Sequence, residues 1–441
     1  MTQILITIED SLEIIVLFAV LFFEVVFALF IGIKKKRNSK LISVIKIALF
    51  ITFIALLATS VITWNFRWYG FGILLGMLAF HNVILLFRKQ HTTSNDKSWR
   101  LVMNTLGMLA LWVFALLPVL IFPQYSPIEP GGEYKVETKK ITYSDPSRIE
   151  TYTDNNENRK LTVQYWYPAD ANGKYPLVIF SHGSFGTVTS NVSLFSELAS
   201  HGYVVASIGH TYQSLYTTDA DGKTILLDNS FMREVSIENA KTNKQQSFEF
   251  YKKWMSIRMG DIDFVINTIL NQENIVNHDP LFDLVDQTKI GVMGHSLGGS
   301  AALGLGEVRK DIGAVVALES PFMYDIIGVE NEAFVWNEQP YPLPLINIYS
   351  DSSWNHLNDW PQYALNARLL SEPTPDTFNF YLQGAVHLSL TDLGLTSPTL
   401  TNILSGEKYS LNPRDGLAKI NQIVLNFFDS YLKGQGEFSL N

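Results

Sequence analysis

The stretch KIGVMGHSLGGSAALGLGEV, residues 289–308, carries a serine between two glycines at a point where the sequence pattern changes. The apolar residues before Gly294 are typical of a buried strand, and the small residues after Gly298 are typical of a helix packed closely on a sheet. A G-x-S-x-G pattern at such a junction predicts a nucleophile elbow, a sharp turn that exposes a serine hydroxyl above the sheet. We therefore expect Ser296 to be a nucleophile, against the alternative of a glycine-rich turn that only allows close packing.

The residues around this serine have separate expected roles. Side chains at Gly294 and Gly298 would collide with neighbouring backbone, so both glycines belong to the elbow together with His295. The backbone N–H of Leu297, the residue after the nucleophile, is expected to form one half of an oxyanion hole. The N-terminus of the following helix would also stabilise negative charge nearby.

Short apolar runs alternate with helix-compatible stretches on both sides of the elbow. The helix-compatible stretches include residues 191–200, 256–270 and 416–432. The apolar runs are 161–167, 176–181, 203–208, 289–294, 312–319, 344–350 and 377–383. Repeated strand and helix, with strands that are apolar on both faces, predicts a mostly parallel, doubly wound α/β sheet.

Residues 211–254 interrupt this alternation and are predicted to be a lid-like insert over the site. The sequence TTDADGKTILLD within it indicates a hairpin around Asp221 and Gly222. Asp219 and Asp221 also resemble part of a calcium loop, but Lys223 occupies the next ligand position, which favours the turn.

A serine hydroxyl needs a base, and the base is expected on a late loop after the last strand. His387 follows the strand TFNFYLQ and fits this position. The alternative is a surface histidine without a role. A second oxyanion donor should come from the loop FSHGSFG, residues 180–186, where the N–H of Ser184 follows the turn at His182 and Gly183. This loop lacks the lysine of a phosphate-binding loop.

Two carboxylates could complete the group, because each ends a strand between the serine and the histidine. Glu319 closes the run IGAVVALE, and Asp351 follows the run PLINIYS. Position alone leaves both open, although the later strand, and so Asp351, is the commoner place for the acid in such sheets.

The composition excludes several classes of function. The chain contains no cysteine, which excludes disulfides, thiolate catalysis and cysteine zinc sites. Residues 126–441 hold 22 Lys and Arg against 37 Asp and Glu, which makes nucleic acid a poor partner. The sequence predicts neither a cofactor nor a metal ion.

The first 125 residues differ from the rest, because they consist mainly of four apolar runs. The runs cover about 14–33, 41–64, 71–87 and 101–122. Since about 20 apolar residues cross a bilayer, we predict an all-α domain of four transmembrane helices over residues 1–125. A linker and first-strand region follows over 126–160, and the α/β domain covers 161–441.

Positive charge in the connecting loops predicts the orientation of these spans. The first loop, 34–40, has five Lys and Arg and the third, 88–100, has four, whereas the second has only Arg67. Short loops rich in Lys and Arg remain in the cytoplasm. We therefore predict a multi-pass protein of the cell membrane whose α/β domain is extracytoplasmic.

Glu24 lies in the middle of the first predicted span, where a carboxylate is costly unless it is paired or neutral. It is interpreted either as an interhelical hydrogen-bonding group or as a proton or ligand site, and the structural role is favoured.

The segments PLVIFSHGSFG, GHSLGGSAA, GAVVALES and QGAVHLSLTD together resemble the platelet-activating-factor acetylhydrolase branch of the α/β-hydrolases, over roughly residues 160–390. The resemblance implies an α/β-hydrolase fold and calcium-independent serine ester hydrolysis, with Ser296 as nucleophile and His387 as base. It implies an acid at the end of the strand after the nucleophile helix. That position is an aspartate in the branch and Glu319 here, which favours Glu319 over Asp351.

These observations predict a membrane-anchored, extracytoplasmic serine hydrolase that cleaves carboxylic esters, with lipid esters as a candidate class. The expected partners are a small-molecule or lipid ester and the lipid bilayer, without nucleic acid. Two alternatives are acyl transfer by the same residues and a non-catalytic receptor or transport-associated protein with a hydrolase-like ligand-binding domain.

Overall fold

A computed structural model describes residues 19–26, 29, 39–87, 98–169, 172–272 and 278–440. The chain forms two compact units. The first contains residues up to Ser126 together with Thr396–Leu400, and the second contains the remainder from Pro127 onwards.

Within the described ranges of the first unit there are three long helices: α1 (Ser39–Ala58), α2 (Phe66–Phe87) and α3 (Ser98–Ile121). Each includes an apolar stretch long enough to cross a membrane: Lys40–Ala58, Phe66–Phe87 and Val102–Ile121. Of the first predicted span, only residues 19–26 and 29 are described, and they are helical. The remainder of that span lies outside the described residues.

The second predicted span is too long and the third begins too late. Helix α1 ends at Ala58 rather than at Trp64, and α2 begins at Phe66 rather than at Phe71. The intervening turn contains Val61, Ile62 and Trp64, so hydropathy alone does not mark it.

Aromatic side chains and one polar cluster hold the three helices together. Trp68, Phe71 and Trp112 are almost completely buried in this unit. Glu24 Oε1 lies 3.0 Å from Lys46 Nζ of α1 and accepts a hydrogen bond of 3.3 Å from Trp112 Nε1 of α3. The carboxylate therefore has a cationic partner and a neutral donor, each on a different helix.

The described residues of the second unit contain twelve strands, of which eight form the main sheet. Its strands are β1 (Val136–Ile149), β2 (Asn158–Pro168), β3 (Tyr175–Ser181), β4 (Val204–His210), β5 (Tyr216–Thr218), β6 (Thr224–Leu226), β7 (Val285–His295), β8 (Ile312–Leu318), β9 (Ile326–Glu330), β10 (Ala333–Trp336), β11 (Leu345–Tyr349) and β12 (Thr377–Tyr381). The further helices are α4 (Val192–Ser200), α5 (Asn229–Ile237), α6 (Lys244–Leu270), α7 (Leu297–Val308), α8 (Asp351–Trp354), α9 (Ala364–Ser371), α10 (Leu393–Thr396), α11 (Pro398–Ser405) and α12 (Pro413–Lys433).

The main sheet has the order β1-β2-β4-β3-β7-β8-β11-β12. The pairs β1–β2 and β2–β4 are antiparallel, and every later pair is parallel. Side chains of α6 and α7 cover one face of the sheet, and side chains of α4 and α12 cover the other. The prediction of a mostly parallel, doubly wound α/β sheet is therefore confirmed.

The run of small residues in α7 has a direct structural reason. Every residue from Leu297 to Gly306 is buried, because this helix follows the elbow and packs between β7, β8 and the rest of its layer. Larger side chains along it would push the helix away from the sheet and shift the residue at its N-terminus.

The predicted insert contains the hairpin of β5 and β6, which pair antiparallel, and the short helix α5. Helix α6 begins at Lys244, inside the predicted insert, rather than at Ser256. Asn243 caps it by accepting a hydrogen bond from Gln246 N–H. The polar first turns of α6 lack apolar periodicity, which is why the sequence pattern placed the start too late.

Candidate active site

Ser296 lies on the predicted elbow, between the end of β7 and the first residue of α7. Its φ is 54° and its ψ is −124°, a strained conformation for a residue with a side chain. Its N–H donates to Leu318 O over 2.9 Å, which ties the turn to the neighbouring strand. The side chain stays partly accessible while the residues on both sides are buried.

The two elbow glycines are required by close backbone contacts. A Cβ at Gly298 would overlap the carbonyl of Ser181 on β3, and a Cβ at Gly294 would overlap the backbone of Gly298. The first turn of α7 therefore rests directly on β3, as the spacing predicted. This contact fixes the height of Ser296 above the sheet.

The predicted base, His387, begins a short 3-10 turn after β12. Its Nδ1 lies 3.6 Å from Glu319 Oε1, with the histidine side chain 31% exposed and the glutamate side chain 1% exposed. The backbone N–H of His387 donates to Ser352 Oγ over 3.1 Å. Ser352 Oγ in turn donates to Glu407 Oε2 over 2.8 Å, so a hydroxyl and a carboxylate brace the loop.

Glu319 follows β8 with a φ of 50°, which turns its side chain out of the strand direction. Ser350 N–H donates to Oε2 over 3.1 Å. Oε1 is buried and has no hydrogen-bond partner among the described residues. That oxygen is the one nearest to His387 Nδ1. The carboxylate is thus held at one oxygen and free to accept from the imidazole at the other, at a separation typical of a site without substrate.

Asp351, the alternative acid, is engaged elsewhere. Its Oδ1 accepts hydrogen bonds from Tyr381 O–H over 2.6 Å and from Gly384 N–H over 3.0 Å. The first of these bonds raises the pKa of Tyr381 to about 12. Asp351 therefore braces the loop after β12, and the described part of the chain gives it no contact with His387.

The two predicted oxyanion donors belong to segments next to Ser296. Leu297 is the first residue of α7, so its N–H has no acceptor within the helix. A Cβ at Gly183 would lie 3.2 Å from Ser296 Cβ, so the loop before Ser184 passes directly beside Ser296. In the described ranges, no backbone acceptor takes the Ser184 N–H.

A network of buried charged residues near the loop of residues 180–186 was not predicted from the sequence. Asp261 of α6 binds Arg159 through both oxygens, at 2.6 and 2.5 Å, and its Oδ2 accepts from His210 Nδ1 over 2.8 Å. Arg159 also binds Glu150 at 2.7 Å. Burial tends to raise the pKa of Asp261, but Arg159 outweighs it and holds that pKa far below its usual range. The alternation of apolar runs carries no signal for such ion pairs.

Over the ranges that the structure describes, no three His, Asp or Glu side chains are grouped so that they could hold a metal ion.

A family model described as platelet-activating factor acetylhydrolase, isoform II, matches residues 152–440. Proteins named platelet-activating factor acetylhydrolase are also similar. The one from Bos taurus is 25% identical over 279 residues, covering 60% of this chain and 59% of that protein. The one from Gallus gallus is 25% identical over 288 residues, covering 60% and 64%. The chain thus spans about three fifths of the length of these relatives.

Among solved structures, a ferulic acid esterase from Streptomyces cinnamoneus is similar with a TM-score of 0.51 and 19% identity, covering 70% of this chain and 93% of that one. This likeness supports the α/β-hydrolase fold. The family match includes every predicted site residue and extends beyond the motifs at 160–390. The chain belongs to the platelet-activating factor acetylhydrolase, isoform II, family.

Proposed function

We propose that this protein is a membrane-anchored serine hydrolase that cleaves carboxylic esters through an acyl-enzyme. One observation carries the proposal: a strained, partly accessible serine lies beside a loop whose Ser184 N–H has no backbone acceptor among the described residues, and a buried carboxylate faces the histidine of a nearby loop. Each part comes from a different strand end of one sheet edge, where hydrolases of this fold carry out their chemistry.

The proposed reaction begins with attack of Ser296 Oγ on the ester carbonyl carbon. His387 accepts the serine proton, and the N–H groups of Ser184 and Leu297 stabilise the oxyanion. Collapse of the tetrahedral intermediate breaks the ester bond, and His387 gives its proton to the leaving alcohol. Water then attacks the acyl-enzyme with His387 as base, which releases the acid and restores the serine.

Glu319 is the proposed acid of this group. Its longer side chain reaches the imidazole because the positive φ at residue 319 turns it away from the strand axis. A carboxylate at this place holds the imidazole in the tautomer that accepts the serine proton, and it stabilises the imidazolium that forms.

The substrate class follows from the proposed location. The apolar helices of the first unit, with Lys- and Arg-rich loops between them, support a multi-pass protein of the cell membrane with an extracytoplasmic α/β domain. An enzyme held beside a bilayer meets esters that partition into lipid. A lipid ester is therefore the proposed natural substrate.

The nucleophile is tested with a fluorophosphonate probe, which reacts covalently with activated serines. Ser296→Ala should abolish labelling and most hydrolysis of 4-nitrophenyl acetate. Ser300→Ala is the matched control, because this buried serine lies one turn further along α7 and bonds Pro321 O at 2.6 Å. Labelling that persists in Ser296→Ala would refute the proposed nucleophile. Hydrolysis is separated from acyl transfer by adding alcohol acceptors and measuring the products. Hydrolysis releases free acid, whereas acyl transfer forms a new ester with the added alcohol.

The orientation is tested with single cysteines, since the natural chain contains none. Asp221→Cys places a thiol at the exposed turn of the β5–β6 hairpin. Lys36→Cys places one in the predicted loop of residues 34–40. A membrane-impermeant maleimide should label Asp221→Cys on intact cells and Lys36→Cys only after the cells are broken. The reverse pattern would place the α/β domain in the cytoplasm.

A further inference from the structure

The carbonyl oxygen of Gly183 precedes the proposed oxyanion donor by one peptide bond, and two donors hold it. His182 Nδ1 lies 2.7 Å away, and Gly186 N–H donates to it over 3.1 Å. In a trans peptide, the carbonyl and the next N–H point in opposite directions. Whatever holds the Gly183 carbonyl therefore also sets the direction of the Ser184 N–H.

The neighbours of His182 fix its tautomer. Nδ1 faces a carbonyl, which can only accept, so Nδ1 must carry the proton. Nε2 faces the backbone N–H of His210 at 3.4 Å, which can only donate, and Ser214 Oγ at 2.8 Å. Nε2 is therefore the acceptor, and its nearest donor is the Ser214 hydroxyl, which lies closer to Nε2 than to its other acceptor, the carbonyl oxygen of His210 at 3.1 Å.

The ring of His182 is also kept neutral. It is completely buried. Burial lowers its pKa well below the usual range, and the nearby Arg258 guanidinium lowers it further. A neutral imidazole has only one N–H. If that proton moved to Nε2, Nδ1 would present a lone pair to the Gly183 carbonyl and would repel it.

The nearest donor to Nε2, which stabilises the tautomer that the Gly183 carbonyl requires, belongs to the insert after β4. Ser214 and Gln213 precede the β5–β6 hairpin, and Gln213 O accepts from Phe185 N–H over 3.2 Å. Leu215 N–H donates back to Phe185 O over 3.2 Å. Phe185 itself has a φ of 63°, so the loop holds a strained residue next to Ser184. The insert and the oxyanion loop are thus joined by backbone and side chain.

We propose that His182 is a positioning residue that orients the Ser184 N–H into the oxyanion hole, and that Ser214 of the insert stabilises the tautomer through which it does so. The inference rests on the proposed hydrolase function. It assigns the insert a structural part in forming the oxyanion hole, in addition to any part in covering the site.

The expected size of the effect is limited by the second donor. Removal of a whole oxyanion donor typically lowers kcat by about 10²–10³. Since Gly186 N–H still holds the carbonyl in a Ser214 variant, we expect a smaller loss, about tenfold to a hundredfold. The loss should fall on kcat and leave KM nearly unchanged, because the oxyanion is absent from the bound ground state.

The test compares two buried serines. Ser214→Ala removes the donor to His182, whereas Ser181→Ala removes an equivalent 2.8 Å bond to His210 Nε2 in the same network. Both should lower the melting temperature by similar amounts. With 4-nitrophenyl acetate as substrate, the kcat of Ser214→Ala should fall about tenfold to a hundredfold. The kcat of Ser214→Thr should return most of the way to the wild-type value, and the kcat of Ser181→Ala should stay within about threefold of it. Equal kcat in Ser214→Ala and Ser181→Ala would overturn the proposal.

A second readout separates this positioning role from a general loss of structure. A trifluoromethyl ketone forms a hemiketal with the serine, and its oxyanion occupies the hole, whereas the matching methyl ketone binds without strong charge. Ser214→Ala should weaken the first and spare the second. An equal effect on both, or on neither, would refute the tautomer argument.

His182 is tested directly with two replacements. Asn places an amide N–H near the position of Nδ1 and should keep more kcat than Leu, which has no donor. Leu at or above the activity of Asn would contradict the positioning role. Failure of the proposed hydrolase function is detected separately by Ser296→Ala, because this variant removes the proposed nucleophile and leaves the loop of residues 180–186 unchanged.

Discussion

The ring of His295 lies beside that of His387, with centroids 4.5 Å apart and planes inclined by 37°. His295 Nε2 also donates to the carbonyl of His387 over 3.1 Å. Burial lowers the pKa of His295 well below its usual range, and the neighbouring His387 lowers it further, so the ring stays neutral. His295, the residue before the proposed nucleophile, therefore packs against the proposed base without placing a second charge next to it.

This contact predicts that His295→Phe keeps the packing but loosens the loop of His387. The loss of one buried hydrogen bond should cost about 1 kcal/mol of unfolding free energy. We expect kcat for 4-nitrophenyl acetate to fall severalfold, measured together with a urea titration. Unchanged kcat and stability would show that the bond does not position the base.

The second prediction ranks the two candidate acids. Glu319→Gln should lower kcat by up to about 10⁴ with little change in KM, because the imidazole loses its orienting carboxylate. Asp351→Asn should keep a substantial fraction of the activity, since it weakens only the bonds to Tyr381 and Gly384. Purified, folded variants assayed on a short-chain aryl ester check this. The opposite ranking would make Asp351 the acid.

The third prediction concerns the ion pair of Glu24 and Lys46. Glu24→Gln alone leaves an ammonium group without its counter-ion in an apolar bundle, and removing one partner of a buried pair costs about 3–5 kcal/mol. The double variant Glu24→Gln with Lys46→Met should recover part of that loss. Unfolding of the detergent-solubilised protein, followed by circular dichroism, measures both. Ester hydrolysis should persist in every folded variant; its loss would give the pair a functional role.

The fourth prediction is a pH dependence of stability. Burial raises the pKa of Asp392 to about 6, although hydrogen bonds from Ser193 oppose the shift. The folded state therefore favours the protonated carboxyl. The contribution of this protonated carboxyl to the unfolding free energy is fully present below about pH 4, near the pKa of an unfolded aspartate. It is lost as the pH rises through 6. The difference in unfolding free energy between wild type and Asp392→Asn should change in this window and level off above it.

The strands could be predicted from the sequence because the sheet is covered on both faces. The run YVVASI, for example, is buried throughout, so its apolar character is continuous. The elbow was predictable for a related reason. Glycines are required at 294 and 298 because a Cβ at either position would overlap neighbouring backbone. Local sequence and tertiary packing agree at these places.

The remaining features depend on side-chain direction, which sequence spacing does not encode. Glu319 and Asp351 both follow strands, but Glu319, which has a positive φ, faces His387, whereas Asp351 accepts hydrogen bonds from Tyr381 and Gly384. Asp261, Arg159 and Arg258 read as ordinary helix and strand polar residues, although all three are completely or almost completely buried. A charged residue whose partner lies far away in the sequence leaves no local sequence pattern.

Ser296 and Glu319 both hold positive φ angles, of 54° and 50°, at positions where glycine would relieve the backbone. Such conformations cost about 1–3 kcal/mol each. Stability and chemistry therefore oppose one another at two of the residues on which turnover is proposed to depend. A thermostability screen without an activity assay would be expected to accumulate glycine at both positions and to yield a more robust but inactive protein. Directed evolution of this chain needs selection for turnover at every round.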